Sequence, residues 1–367
     1  MSRRLSRAVS LLTLLVLAGC GGQAAASDSA AGSAAAKTAP SASAGSAPSS
    51  ARPAVSAGAA APGSASAKPS TESGPLVVYG AGTLAVPFKD VLAAFGTEHA
   101  GLHAQPQFGG SVKMAKQITE LNQPADVLAV ADYSVIPQEM FGRGGKKRFA
   151  SWYAGFAGNA ITFVYTPRSK GAGTINAGNW YKVLAEPGVQ IGRSNPDTDP
   201  SGYQTLQMLK LAEAYYKQPG LYDAILKNAP QTNIRDTETE LLSALDAGQI
   251  DYLAIYRSDA QQHNLEFVQL PPQIDLSDAR YAADYAKASI ATKNGQIDGK
   301  PIVYAITVPD NAPHPELGKQ FAALVLGKDG AALMQKNGFV SITPGLASDM
   351  QAVPPELKGL LRPWPAS

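Results

Sequence analysis

This chain contains very little cysteine and carries almost no net charge. The 367 residues include one cysteine, Cys20, so no disulfide can form within the chain. The 31 Lys and Arg residues against 29 Asp and Glu residues leave a net charge of +2, with no long basic block. That balance argues against nucleic acid as a partner. The four histidines are scattered and form no metal-binding motif; they are His99, His103, His263 and His314.

Long apolar runs are also missing. The most apolar stretch lies in "MSRRLSRAVSLLTLLVLAGC", residues 1–20, where arginines precede a run too short for a comfortable membrane span. This pattern predicts a secretory signal peptide. Its end, Leu17-Ala18-Gly19-Cys20, resembles a bacterial lipobox, which predicts a lipid anchor on Cys20 in the periplasm or on the outer face of the cell membrane. The alternative is an ordinary cleavage site in which Cys20 is incidental.

Residues 21–74 contain almost only Ala, Ser, Gly and Pro. A segment without aromatic residues and with almost no large aliphatic residues cannot bury enough apolar surface to offset the loss of chain entropy. We therefore predict a disordered tether over residues 21–74. The remaining residues are sufficient for two modest domains.

Short apolar strands alternate with helical patterns from residue 75 onward. Examples are the strands "PLVVYGAG", "ADVLAVAD" and "NAITFVYTP" and the helical "VPFKDVLAAFGTEHA". The alternation predicts an α/β fold of two lobes, each a mixed sheet flanked by helices. We place lobe 1 at residues 75–155 and 305–367 and lobe 2 at residues 156–304. A ligand would bind in the cleft between them, near strand ends and helix N-termini.

Two strand-to-helix junctions in the first lobe have the composition of an oxyanion site. Thr83 follows Gly82, and Ser111 follows Gly109 and Gly110. Glycine lets backbone N–H groups approach an oxyanion closely, and the helix dipole and the hydroxyl add further attraction. Ser and Thr are also ordinary N-caps, so capping remains the alternative for each.

Two acidic residues stand at junctions of the second lobe. Asp199 precedes Pro200, as an N-cap precedes a proline at the first helical position, so capping is one interpretation and ligand binding the other. In "RDTETELL", Thr237 and Glu240 have the spacing of a capping box, which leaves Glu238 as either a solvated acid or a site residue.

Several longer stretches resemble the extracytoplasmic solute-binding proteins of molybdate/tungstate ABC transporters, in their tungstate-type branch. The resemblance extends from about Val78 to Phe339 and includes "DVLAVADYSVIP", "GRSNPDTDPSGY", "DYLAIYRSDAQQHNL" and "PIVYAITVPDNA". It implies the type II periplasmic binding protein fold and a monomer that captures a tetrahedral oxyanion and delivers it to a permease. It also implies no enzymatic activity and no cofactor.

The resemblance implies a ligand set for this chain. Hydroxyl groups would donate to the oxygens of the anion, and two carboxylates would ligate its tungsten or molybdenum centre; the hydroxyl residues are Thr83, Ser111 and Tyr256, and the carboxylates are Asp199 and Glu238. The sequence departs from the family pattern at Thr83, where serine is usual, in the shorter stretch before Glu238, and at Asp236, where proline is frequent.

Carboxylates would repel a dianion unless its central atom accepts further oxygen ligands, or unless the acid is protonated or shares a proton supplied by the anion. Tungsten and molybdenum have room for such ligands, whereas the sulfur of sulfate and the phosphorus of phosphate do not. A sulfate- or phosphate-binding protein on the same fold is the alternative within this class. Two alternatives belong to other classes of protein. One is a hydrolase, which is disfavoured because neither Ser111 nor Ser201 lies in a G-x-S-x-G motif. The other is a purely structural surface lipoprotein.

Overall fold

The computed structural model describes residues 74–365. The predicted signal peptide, the Cys20 anchor and the predicted tether up to residue 73 lie outside the described residues. Within residues 74–365, no helix has the length and apolar character needed to cross a membrane.

The strands of residues 74–365 form one seven-stranded sheet, one five-stranded sheet and one hairpin. They are β1 (Pro75–Ala81), β2 (His103–Gly109), β3 (Val127–Val130), β4 (Ala154–Gly158), β5 (Ile161–Tyr165), β6 (Ile191–Ser194), β7 (Ile234–Arg235), β8 (Tyr252–Tyr256), β9 (Glu266–Phe267), β10 (Ser289–Thr292), β11 (Gly295–Asp298), β12 (Val303–Thr307), β13 (Val340–Ala347) and β14 (Leu361–Pro363).

The helices of the described residues follow or separate these strands. They are α1 (Ala85–Glu98), α2 (Ser111–Thr119), α3 (Val135–Glu139), α4 (Trp180–Ala185), α5 (Pro200–Tyr215), α6 (Leu221–Lys227), α7 (Leu242–Asp246), α8 (Arg257–Gln262), α9 (Ala282–Tyr285), α10 (Pro315–Leu326) and α11 (Lys328–Lys336). Short 3-10 turns occur at Gly82–Leu84, Arg143–Gly145, Gln231–Asn233, Thr239–Leu241, Ala279–Tyr281 and Pro355–Leu360.

Lobe 1 is the seven-stranded sheet with the helices on its two faces, in the order β14-β13-β4-β12-β3-β1-β2. Strand β1 is parallel to β2 and β3, and β12 is antiparallel to β3 and β4. Successive side chains of a strand point to opposite faces. Accordingly, Val78 belongs to the same core cluster as Phe88 of α1, and Tyr79 belongs to a second cluster with Ile118 of α2. Both faces are therefore covered by helices, as a parallel sheet requires.

Lobe 2 is the five-stranded sheet, β7-β6-β8-β5-β9, together with the β10-β11 hairpin. Its core includes the buried rings of Phe163 and Trp180, whose centroids are 5.8 Å apart. Strand β8 is buried at all five positions and pairs with β5 on one side and β6 on the other. The two sheets are both mixed and flanked by helices, which confirms the predicted α/β class.

The chain crosses between the sheets at two places. Asn159 and Ala160 separate β4 of lobe 1 from β5 of lobe 2 and form the first crossover. The return passes from the β10-β11 hairpin to β12, which begins at Val303 in lobe 1. Both crossovers lie beside the region where the helix-starting junctions of the two lobes meet.

Candidate functional site

The predicted junctions of the two lobes lie against each other. A Cβ atom added at Gly82, before Thr83, would be 3.3 Å from the hydroxyl oxygen of Thr239 in lobe 2. A Cβ atom added at Gly110 would be 2.4 Å from the carbonyl oxygen of Thr198. The fold therefore brings the segments that carry all four predicted junctions to one place between the lobes.

Asp199 begins helix α5 in the predicted N-cap position, but its side chain makes no capping hydrogen bond. The carboxylate instead lies 2.6 Å from the hydroxyl oxygen of Ser201 and accepts a hydrogen bond from the backbone N–H of Ser111 in lobe 1. Capping is thus the wrong interpretation of this residue. Asp199 is 3% exposed and links the start of α5 to the opposite lobe.

Glu238 contacts the same serine, Ser201. The hydroxyl oxygen of Ser201 is 2.8 Å from Oε2 of Glu238 and 2.6 Å from Oγ of Ser194, which ends β6. Since a hydroxyl carries one proton, Ser201 can donate to only one of the two carboxyl groups at a time. Glu238 is 1% exposed, so the alternative of a solvated acid is wrong.

The two carboxyl groups hold a proton between them. Burial raises the pKa of Glu238 well above its usual range, and the neighbouring Asp199 raises it further. Burial also raises the pKa of Asp199, against the opposing effect of hydrogen bonds from Glu238 and Ser201. Like charges in one buried site cannot both ionise without cost, so burial favours a proton shared by the pair over two charged carboxylates. No lysine or arginine of residues 74–365 forms an ion pair with either group.

The predicted capping box at Thr237 and Glu240 does not form. Glu238 already has helical backbone angles, φ −65° and ψ −34°, and it precedes a 3-10 turn at Thr239–Leu241 rather than an α-helix. No side-chain capping hydrogen bond forms at this start. Thr237 donates instead to the side-chain carboxylate of Glu240 at 3.3 Å.

The three predicted hydroxyl residues are buried in the same region. The hydroxyl oxygens of Thr83 and Tyr304 are 2.8 Å apart, and Tyr256 donates to Oε1 of Gln204 at 2.6 Å. The hydroxyl oxygen of Ser111 accepts the backbone N–H of Ala131 at 3.0 Å, which leaves the proton of Ser111 free to donate elsewhere.

Asp259 is a buried acid near Asp199 that the sequence did not single out. It lies in the first turn of α8, is 1% exposed, and its Oδ2 atom has no hydrogen-bond partner among the described residues. Burial, and then the nearby Asp199, raises the pKa of Asp259 to about 8. In the sequence an acid in the first turn of a helix is typical of a solvent-exposed position, so no local signal marks it as buried.

Other contacts join the lobes around this centre. Tyr203 of α5 donates to the carboxylate of Asp132, after β3, at 2.8 Å, and the ammonium of Lys300 lies 2.9 Å from the same carboxylate. Nearer the surface, Lys113 of α2 and Asp236 form an ion pair at 2.8 Å. We call Tyr203 and Asp132 the buried cross-lobe pair, and Lys113 and Asp236 the exposed cross-lobe pair.

Comparison with known protein families gives one family match and a set of relatives. The model of bacterial extracellular solute-binding proteins matches residues 76–340. An uncharacterized solute-binding protein of Petrotoga mobilis is 38% identical over 296 residues, which cover 79% of this chain and 91% of that protein. The molybdate/tungstate-binding protein WtpA of Pyrococcus abyssi is 34% identical over 328 residues, covering 82% and 93% of the two chains.

A solved structure supports the same fold. The periplasmic molybdate-binding protein of Azotobacter vinelandii aligns with a TM-score of 0.53 at 20% identity, covering 72% of this chain and 98% of that one. At this level of identity the likeness concerns the fold alone. It confirms the predicted two-lobe periplasmic binding protein fold.

Proposed function

This chain belongs to the family of bacterial extracellular solute-binding proteins, which are not enzymes, and we propose that it captures tungstate or molybdate between its two lobes. The observation that carries the proposal is the buried pair Asp199 and Glu238, bridged by Ser201 and placed where the lobes meet. Two acids with no cationic partner among residues 74–365 are an unfavourable surface for an ordinary dianion.

An oxometalate avoids this repulsion because the carboxylates can bind its metal centre. Tungsten and molybdenum accept oxygen ligands beyond the four oxygens of the tetrahedral anion, so carboxylates can bind the centre itself. For Glu238 to do so it must lose the proton that burial favours, and the positive centre supplies the attraction that replaces it. Sulfate and phosphate offer no such centre, so the same two acids would select against them.

Uncharged donors complete the proposed site. Thr83 and Ser111 come from the first lobe and Tyr256 from the second, so that their hydroxyl groups reach the anion oxygens from both sides. In this arrangement Tyr256 turns its proton from Gln204 to the anion. The description of the WtpA relative as a molybdate/tungstate-binding protein supports the same class of ligand.

The family supports a role in delivering the anion to a transporter, and the sequence of residues 1–20 supports a lipid anchor. We propose that the loaded protein passes its anion to the permease of an ABC transporter. Lipid on Cys20 would hold the protein at the membrane through the tether of residues 21–74. Radiolabelled palmitate incorporated by the wild-type chain and not by Cys20→Ala would support the anchor.

The ligand assignment is tested by calorimetric titration with tungstate, molybdate, sulfate and hydrogen phosphate. We expect the two oxometalates to bind more tightly than the other anions. Asp199→Asn and Glu238→Gln should each lower oxometalate affinity by about tenfold to a hundredfold, because each removes a charged ligand from a buried site. Asp223→Asn, an exposed acid on α6, is the matched control and should bind as the wild type does.

Two results would contradict the proposal in different ways. Sulfate or hydrogen phosphate binding more tightly than the oxometalates would replace the ligand while keeping the class of protein. Unchanged tungstate affinity in both acid variants would remove the role of the carboxylates as ligands.

A further inference from the structure

A chain of buried polar side chains runs from the proposed site into the first crossover. The hydroxyl oxygen of Thr83 is 2.8 Å from that of Tyr304 on β12, and Nδ2 of Asn159 is 3.4 Å from Tyr304 and 2.8 Å from Oγ of Ser258. All four residues are at most 3% exposed. The chain connects lobe 1, the crossover and the start of α8 in lobe 2.

The orientation of the Asn159 amide is fixed by its surroundings. Its Oδ1 atom accepts the backbone N–H of Ala160 at 2.9 Å and of Ser258 at 3.3 Å. A flipped amide would place NH₂ donors against these two N–H donors, so Nδ2 must face Tyr304 and the Ser258 hydroxyl. An amide NH₂ group only donates hydrogen bonds.

The partners of Tyr304 indicate the direction of the next hydrogen bond. Asn159 donates to the phenol oxygen, and among residues 74–365 the hydroxyl oxygen of Thr83 is the acceptor within reach of the phenol proton, so we assign that proton to the contact with Thr83. Thr83 then accepts from Tyr304, and its own proton is directed away from that contact. Tyr304 has little freedom to turn, since its ring packs edge-on against Phe339 at 5.1 Å and near Tyr256 at 5.8 Å.

We propose that Tyr304 is a positioning residue that orients the Thr83 hydroxyl as a hydrogen-bond donor to the bound anion, with its own proton direction set by Asn159. This inference rests on the proposed function, because it assumes an anion beside Thr83. The proposed orientation of Thr83 also restricts which anions fit the site. A Thr83 hydroxyl whose proton points at the anion favours an unprotonated anion oxygen at this position, as in tungstate, over an O–H group.

A double-mutant cycle with tungstate as the ligand tests this role. Thr83→Val and Tyr304→Phe should each weaken binding by about tenfold, the effect of one lost hydrogen bond to a charged group. If Tyr304 acts through Thr83, the double variant should bind no more than about twofold more weakly than Thr83→Val alone. Tyr252→Phe, a buried tyrosine of β8 that donates to the backbone oxygen of Lys170, is the matched control and should keep wild-type affinity.

The outcomes separate this inference from the proposed function. Losses that multiply in the double variant, or wild-type affinity in Tyr304→Phe, overturn the positioning role while tungstate binding stands. Failure of the wild-type protein to bind tungstate overturns both. Melting temperatures of the same variants identify general destabilisation, which would lower affinity in Tyr252→Phe and Tyr304→Phe alike.

Discussion

At the scale of single residues, the proposed site concentrates buried acids. Asp199, Glu238 and Asp259 are each at most 3% exposed, and the pKa of each is raised by burial as the main cause. Oxometalate binding that uses both Asp199 and Glu238 as ligands must release the proton that burial favours on this pair, so capture is linked to proton release.

We expect Asp259→Asn to reduce the loss of stability that the wild-type protein shows as the pH rises toward about 8. The pKa of Asp259 is raised from 3.8 to about 8, first by burial and then by Asp199. The folded protein thus keeps a proton that the unfolded chain releases above that lower value. The stabilising contribution is complete below pH 3.8 and is lost as the pH rises through about 8.

The measurement is the melting temperature without anion at several pH values between about 5 and about 8. The wild type should lose more stability than Asp259→Asn over this range, whereas Asp298→Asn, an exposed acid of β11, should follow the wild type. Parallel melting curves for the wild type and Asp259→Asn would exclude a buried proton at this residue.

At the scale of elements, the contact between the start of α2 and lobe 2 depends on a glycine. Gly110 is the N-cap of α2, and its Cα lies against the Thr198 backbone of lobe 2. The close approach lets the N–H of Lys113 reach the Thr198 carbonyl at 3.4 Å. A side chain at this junction would therefore obstruct the contact between the lobes, and not the helix itself.

Gly110→Ala should weaken tungstate binding by about tenfold or more with little change in melting temperature. The added methyl would stand 2.4 Å from a backbone carbonyl oxygen, and relieving that clash requires the lobes to separate. Gly96→Ala on α1, where an added Cβ meets nothing within 4 Å, is the control for a glycine replacement. Wild-type affinity in Gly110→Ala would show that the lobes bind the anion without this close approach.

At the scale of the whole molecule, buried and exposed contacts join the lobes. Burial acts to raise the pKa of Asp132, but the ammonium of Lys300 and hydrogen bonds from Ser134 and Tyr203 outweigh it and lower that pKa. Asp132 is therefore a charged acceptor, and its bond from Tyr203 is stronger than one between neutral groups. The exposed pair of Lys113 and Asp236 is screened by water and contributes little.

Tyr203→Phe should therefore lower tungstate affinity more than Lys113→Met does. We expect a loss of about tenfold for Tyr203→Phe and less than about threefold for Lys113→Met, because only the first removes a buried charge-assisted bond between the lobes. Calorimetric titration with tungstate at low and moderate salt measures the affinities of both variants. Equal losses, or a larger loss for Lys113→Met, would contradict this ranking of the contacts.

The sequence alone was sufficient for the class of fold, and it marked the segments that meet at the proposed site. Apolar strands such as β1 and β3 alternate with amphipathic helices, and this local periodicity determines an α/β architecture. Junction glycines and hydroxyl residues also stand out locally. The longer stretches around Asp199 and Tyr256 allowed the family to be identified before any contact was known.

The tertiary structure alone decided which side chains meet. Ser201 and Glu238 are 37 positions apart and Thr83 and Tyr304 are 221 apart, so no local pattern relates them. The same holds for the burial of Asp259, which depends on how the lobes pack. Secondary structure follows from interactions over a few residues, whereas hydrogen-bond partners and proton positions follow from packing between distant segments.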